Sequence, residues 1–492
     1  MNIEYYKRSL KTLMMFCLYL ALARFTKGVF IGVMSLMGMV WAFNGKVGKS
    51  LSIYSMIIFM VSVNPFVLPM EGPFYGLGLR LGPLAIGLAL MCRGCLFRSR
   101  QRLPLGMLLA YLVVAIVSSI GGWSPVVSFL KIVNFTVFMI GIWLGTQALE
   151  HDADGIMVLR ATFFALAIFL IVGSIILMPF PGISTLSGLR DFRTVDDIAF
   201  LNAMYREAAN SGAMSLFCGI TQQSQTLSPM LACMFGWLVC DLLFVEEEFR
   251  WPHIILIVLS IPLLYKTRSR VALLTLMAAL MLVYFYLPRH IQLRPMIKRW
   301  LRSMLLFFGF ILVTVLAISE IHGDTFSRWI RKTNDVESDA RSISEALTES
   351  RQGLIEECMS DFRRNPLLGS GFQVASFTEE YVKRSEGLVL SSPIEKGVLP
   401  IMVLGETGVV GVIVFAVFLI SFVNGCGRRR LRISLAMMCL LLVTNFGEAS
   451  FFSPGGVGGI LWTICVVGGY ALDMSLSEIA GRRSLAIDMK WQ

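Results

Sequence analysis

Charge and histidine are what this sequence has least of. Charged residues make up 15% of its 492 positions, where soluble domains carry about a quarter. Hydrophobic residues make up 56%, and the mean hydropathy is +0.72. A soluble fold of this length could not hide that much apolar surface, so a free-standing soluble enzyme is excluded; a lipid solvent removes the need. Only four histidines are present, and one of them, His322, falls in a long polar segment. No DxD-like pair stands out in those segments either. Asp196-Asp197 are adjacent and read as a solvated loop, so metal-independent, cofactor-free chemistry is expected. No internal repeat is visible, which speaks against the doubled halves of many secondary transporters.

The chain does have long apolar runs. A helix crossing hydrocarbon needs roughly 20 mostly apolar residues. Runs of that kind lie near 10–24, 28–43, 51–69, 79–97, 103–121, 126–149 and 156–179. A second group lies near 225–245, 253–266, 269–287, 301–319, 398–423, 433–452 and 455–474. The expected fold is all-α: a polytopic integral membrane protein of about 12–14 transmembrane helices, with a large periplasmic loop between late helices. Lys7, Arg8 and Lys11 precede a run ending Ala21-Leu22-Ala23, which has the look of a signal peptide. A second membrane-length run follows at once, so an uncleaved first span is expected. Most of the ten cysteines lie inside apolar runs and read as small buried hydrophobes.

The net charge of +11 fits basic loops held against anionic lipid, and no nucleic-acid partner is expected. Alternate connections carry Arg93, Arg98, Arg100 and Arg102, then Arg289, Arg294, Lys298 and Arg299, then Arg428, Arg429, Arg430 and Arg432. The tail adds Arg482, Arg483 and Lys490. Counting spans alternately puts all of these on one side, the cytoplasm, with both termini. The protein is thus expected in a bacterial inner membrane. Three parts follow: membrane helices over 1–250 with an outer loop near 180–224, a membrane domain over 251–475 with an outer loop near 320–397, and a cytoplasmic tail, 476–492. Within the second loop, residues 342–363 fit an amphipathic helix with Ile343, Leu347, Leu354, Ile355, Met359 and Phe362 as its apolar stripe. Pro366, Gly369 and Gly371 end it.

Some cations stand on the wrong side. Lys266, Arg268 and Arg270 lie in a tight outer connection between two apolar spans, against the positive-inside bias. They either snorkel to lipid phosphates or line a pocket for a phosphorylated ligand, to which arginine's planar fork is suited. Arg190, Arg193 and Arg206 of the first outer loop and Arg328, Arg331 and Arg351 of the second could join them.

Four features, in order, carry a resemblance. Thr267-Arg268-Ser269-Arg270 opens an apolar span. A basic inner loop and one more span lead to the long outer loop. That loop holds Ser350-Arg351 and then Asn365-Pro366-Leu367-Leu368-Gly369-Ser370-Gly371-Phe372. The next span begins Gly405-Glu406-Thr407-Gly408-Val409-Val410-Gly411. Together these resemble the Ser-Arg, Arg, Pro-Leu-Leu-Gly-x-Gly-Phe and Glu-x-Gly signatures of the O-antigen ligase and polymerase superfamily of bacterial surface-glycan enzymes. The resemblance covers about 265–475. One departure concerns the His-Asn pair of the ligases. Here that region reads Ser391-Ser392-Pro393-Ile394-Glu395-Lys396-Gly397-Val398, without histidine. That favours a polymerase over a ligase, and Glu395 is the nearest replacement.

The resemblance implies a GT-C-like glycosyltransferase whose donor is a glycan on a polyprenyl diphosphate held in membrane lipid. A flippase and a chain-length regulator are the implied pathway partners. Arg268 and Arg270 would stabilise the departing diphosphate, with Lys266, Arg351, Arg328, Arg331 and Arg206 as further substrate-binding cations. Glu395 or Glu406 would position or deprotonate the attacking hydroxyl. Glu406, read as beginning a span, could instead be a helix-start carboxylate favoured by the dipole. Gly369 and Gly371 would give a turn with close backbone approach. Two other readings remain: a ligase passing finished glycan to lipid A core, and a lipid-linked glycan flippase or transporter.

Overall fold

The structure is a computed structural model that describes residues 2–64, 66–68, 73–96, 105–180, 217–245, 251–267, 269–282, 343–376, 378, 398–429, 431–447, 450–454 and 456–477. Among these residues the architecture is helical, and the only β contact is an isolated antiparallel bridge between Val63 and Thr221. The helices are α1 (Asn2–Phe25), α2 (Val29–Phe43), α3 (Val47–Met60), α4 (Pro73–Leu96), α5 (Leu105–Ile120), α6 (Pro125–Ala148) and α7 (Ala153–Leu177). Then come α8 (Ser224–Cys240), α9 (Trp251–Lys266), α10 (Arg270–Met281), α11 (Ile343–Arg364), α12 (Leu399–Arg429), α13 (Arg432–Asn445) and α14 (Val457–Trp462). Both α8 and α14 run on through a π turn, Asp241–Val245 and Thr463–Gly468.

Among the described residues, five helical stretches are long and apolar enough to cross a membrane: Pro125–Ala148, Ala153–Leu177, Ser224–Val245, Leu399–Arg428 and Val457–Ser477. Shorter apolar helices accompany them at Val29–Phe43, Val47–Met60, Gly106–Ile120, Trp251–Lys266 and Arg432–Asn445. Large apolar side chains stay exposed along them, among them Leu36, Val113, Phe129, Ile413 and Ile420. That pattern is unfavourable in water and natural in lipid. The chain is a helical membrane protein. The run expected at 301–319 lies outside the described residues.

The chain folds as two compact units. One comprises residues 1–62, 70–166 and 354–492; the other, 63–69 and 167–353. In the first, α4 packs along α2 and α6, α5 packs on α6 and α12, and α13 packs on α12 and the second π turn. Glycines let helix backbones meet: a Cβ on Gly141 of α6 would lie 2.6 Å from the Gly87 Cα of α4. An aromatic core joins Tyr111, Phe135, Phe415, Phe451, Phe452 and Trp462, with Tyr111 stacked on Phe452 at 5.2 Å and Phe451 edge-on to Trp462 at 4.7 Å.

Polar contacts gather at one end of this unit. Arg8 pairs with Asp154 at 2.6 Å, and the Gly48 N–H donates to Asp152 at 2.9 Å. The Tyr470 hydroxyl donates to Glu150 at 2.7 Å. Asp473 accepts from the Ile433 and Ser434 N–H groups at 3.0 and 2.7 Å and from the Ser434 hydroxyl at 2.6 Å, capping α13 from another helix. The α2–α3, α6–α7 and α12–α13 connections therefore share an end. The α5–α6 connection meets residues 365–373 at the opposite one.

In the second unit α8 packs on α9 and α10. Asp241, where the first π turn begins, lies 3.0 Å from the His253 ring of α9, and both side chains are fully buried. The Ser269 hydroxyl accepts the Ala272 N–H at 3.3 Å and caps α10.

Candidate functional site

Helix α12 does not start where the Glu-x-Gly segment begins. It starts at Leu399, and Glu406 sits inside it, two residues before a break. The expectation of a helix-start carboxylate is therefore corrected. Pro400 explains the earlier start, because proline suits a first turn, where its missing N–H has no helical partner to lose. The break falls at Gly408, with φ 64° and ψ −165°, a conformation essentially confined to glycine.

A break in an apolar helix frees backbone donors and acceptors, and in lipid each must find a partner. Here the segment 366–371 partners four such groups. The Gly405 carbonyl accepts from the Ser370 N–H at 2.9 Å and the Glu406 carbonyl from the Gly371 N–H at 3.0 Å. In return, the Val409 and Val410 N–H groups donate to the Pro366 and Leu367 carbonyls at 3.0 and 3.3 Å. The fit leaves no room for a β-carbon on either side. One on Gly369, at φ +72°, would lie 2.4 Å from the Glu406 carbonyl carbon; one on Gly408 would lie 2.3 Å from that of Leu367.

The segment is tied down on its other side as well. Asp361, in the last turn of α11, accepts from the Ser370 hydroxyl and the Trp123 indole N–H, both at 2.9 Å. The Trp123 N–H donates to the Ser370 carbonyl at 3.0 Å. The Arg364 guanidinium lies over the Trp123 ring, 4.1 Å from its centroid. Deeper in, the Ser119 hydroxyl accepts the Phe372 N–H at 3.2 Å and Ser128 donates to the Phe372 carbonyl at 2.7 Å. Lys131 donates to the Gln373 carbonyl at 2.8 Å. Phe372 itself fills the aromatic core against Phe135 and Phe452.

Of the residues singled out from sequence, Glu406, Gly369 and Gly371 come together here. Glu406 is 0% exposed. Both glycines have positive φ, and the N–H groups of residues 369–372 are all used within the protein. Lys266 ends α9 in the other unit, exposed, with its ammonium 5.9 Å from the Phe217 ring centroid. Arg270 is the first residue of α10, and Arg351 lies in α11. Arg268, Glu395, Arg206, Arg328 and Arg331 lie outside the described residues, as do Arg190 and Arg193.

The sequence reading passed over Lys131, Ser119, Ser128 and Trp123. Lys131 could have been found: it is a cation alone in an apolar run, which inside a membrane segment marks a candidate by default. The serines gave no such signal, because serine is common in membrane helices and satisfies itself on the preceding turn. Neither a protein-family model nor a curated protein matches the chain.

Proposed function

We propose that this protein polymerises glycan repeat units carried on a polyprenyl diphosphate, at the outer face of a bacterial inner membrane. One observation carries the reading. Two of the segments that carry the resemblance, Asn365–Phe372 and Gly405–Gly411, bond to each other around the break in α12. Motifs that come from unrelated stretches of sequence by accident have no reason to complete one another's backbone hydrogen bonds.

In this reading the chain has about 12–14 spans, both termini in the cytoplasm, and residues 180–224 and 320–397 outside. The lipid tail of the donor stays in the bilayer while its diphosphate waits at the outer interface. An acceptor hydroxyl attacks the anomeric carbon, the bond from that carbon to the diphosphate oxygen breaks, and the lipid diphosphate leaves with the electron pair. Arg268 and Arg270, with Lys266 and Arg351, oppose the growing negative charge, worth about 3–4 kcal/mol per well-placed donor. Glu395 takes the hydroxyl proton, a contribution of roughly a hundred- to ten-thousand-fold. Glu406, wholly buried behind the loop, holds the site's shape. Arg206, Arg328 and Arg331 extend the anionic-substrate surface, and a flippase and a chain-length regulator act before and beside the enzyme.

A transporter reading draws on the same break, because discontinuous helices often mark transport sites. There, however, the freed backbone groups face the cargo, whereas here the protein's own loop takes them. The deciding experiment deletes the gene and types the cell's polysaccharide. Single repeat units on a normal carrier support polymerisation. Long polymer lacking its attachment supports a ligase, and precursor trapped on the inner leaflet supports a flippase. Arg268→Ala and Arg270→Ala, with expression verified, should each cut polymer formation about a hundredfold or more; full-length polymer in both removes these residues from the mechanism. Labelling of engineered cysteines at 266–270 from the cytoplasmic side alone would sink the enzyme reading altogether.

A further inference from the structure

Lys131 is a cation in a helix built for hydrocarbon. It lies within the first two turns of α6 and is 4% exposed. An ammonium in such a place persists only where something holds it. Its Nζ donates to the Gln373 main-chain carbonyl at 2.8 Å. One turn earlier on the same face, Ser128 donates to the preceding carbonyl, that of Phe372, at 2.7 Å.

Gln373 is itself unusual. Its φ is +56°, a left-handed conformation that a residue with a β-carbon keeps only when its surroundings impose it. It is 2% exposed, and its side-chain amide reaches back to the Met402 sulfur of α12 at 3.8 Å. The segment is thus held from two sides by different groups. Towards α12 it uses the N–H groups of Ser370 and Gly371 and the carbonyls of Pro366 and Leu367; towards α5 and α6 it uses the Phe372 N–H and the carbonyls of Ser370, Phe372 and Gln373. Among the described donors to those carbonyls, Trp123, Ser128 and Lys131, Lys131 alone is charged, and a charge-assisted bond is about twice as strong as a neutral one.

We propose that Lys131 is a positioning residue for the transfer reaction: its ammonium holds Gln373 in the left-handed conformation and so keeps residues 366–373 seated in the break of α12. The clamp stands on geometry alone; its consequence for catalysis rests on the polymerase reading above.

The test uses the full chain in nanodiscs of phosphatidylethanolamine and phosphatidylglycerol, together with a deletion strain carrying each variant. Deuterium uptake is followed in the peptide 366–376, with α3 as the reference. Lys131→Met removes the donor at similar volume and should speed uptake in that peptide about tenfold or more, leaving α3 unchanged. Lys131→Arg keeps a charged donor and should stay close to wild type. Gln373→Gly keeps the carbonyl and removes the strain, so adding it to Lys131→Met should recover most of the protection. Unchanged uptake in Lys131→Met overturns the clamp, as does Lys131→Arg behaving like Lys131→Met. Should Lys131→Met fail to accumulate, restoration of the folded protein by Gln373→Gly in that background supports the clamp, and failure to restore it overturns it.

Polysaccharide length in the strain gives the second readout. Short chains with Lys131→Met and long chains with Lys131→Arg support the positioning role. Full-length chains from a Lys131→Met protein whose loop has loosened remove that role and leave the polymerase reading standing. Normal polysaccharide in the deletion strain itself removes the polymerase reading, while the uptake data still decide the clamp.

Discussion

Gly408→Ala would strain the break in α12 directly. The alanine would need φ near +64° with ψ near −165°, at about 1–3 kcal/mol for a residue with a β-carbon. Its methyl would start 2.3 Å from the Leu367 carbonyl carbon and oxygen and 2.6 Å from the Leu368 nitrogen. Backbone rather than a flexible side chain must move, by about 1 Å to reach ordinary contact distance. That movement pulls on the Val409–Pro366 and Val410–Leu367 bonds, 3.0 and 3.3 Å long, each worth about 1 kcal/mol. The sum is about 3–5 kcal/mol, a large part of the stability of most folded domains. The assay is thermal unfolding in detergent with deuterium uptake across 366–376. Gly427→Ala is the internal control, since it lies in the same helix and its added β-carbon meets nothing within 4 Å; it should be neutral or stabilise by up to about 1 kcal/mol. If Gly408→Ala melts with Gly427→Ala and leaves uptake unchanged, the account of the break is wrong.

Three further outcomes can be checked. Trp123→Phe keeps a ring under Arg364 but deprives the buried Asp361 carboxylate of one of its two donors, so it should cost about 1–3 kcal/mol in thermal unfolding; Asp361→Asn should cost a similar amount. Asp473→Ala removes the acceptor for two N–H groups at the start of α13 and should lower stability by about 2 kcal/mol, with exchange rising first at residues 432–436. Burial pushes the Cys218 thiol up to about 12, and the thiolate is the reactive form. In a variant keeping Cys218 as its sole cysteine, maleimide labelling at pH 7.5 should run about a thousandfold slower than for an exposed thiol and speed up on unfolding. Rapid labelling of the native protein would contradict that burial.

Much of the local structure was legible in advance. Helices α2, α6, α7, α9 and α13 begin within about three residues of the apolar runs that announced them, because length and hydropathy are properties of a segment by itself. The amphipathic stretch 342–363 likewise became α11, and Pro366 and Gly369 ended it. Glu406 was misjudged because the interruption that matters is at Gly408, inside an unbroken apolar run. Hydropathy cannot register a change in φ.

The sequence by itself determined that this chain is a helical membrane protein, since no aqueous fold could cover its apolar surface. It also marked the glycines at 369 and 371 as a turn with close backbone approach, but not Gly408 as a break. Tertiary structure alone decided that Gly369 meets the Glu406–Thr407 backbone and Gly408 that of Leu367–Leu368, that residues 366–371 satisfy backbone groups freed in α12, and that Lys131 donates to the Gln373 carbonyl. Those facts are invisible along the chain because each depends on two distant segments meeting. In an apolar solvent a backbone donor must be matched by an acceptor from wherever the fold can bring one.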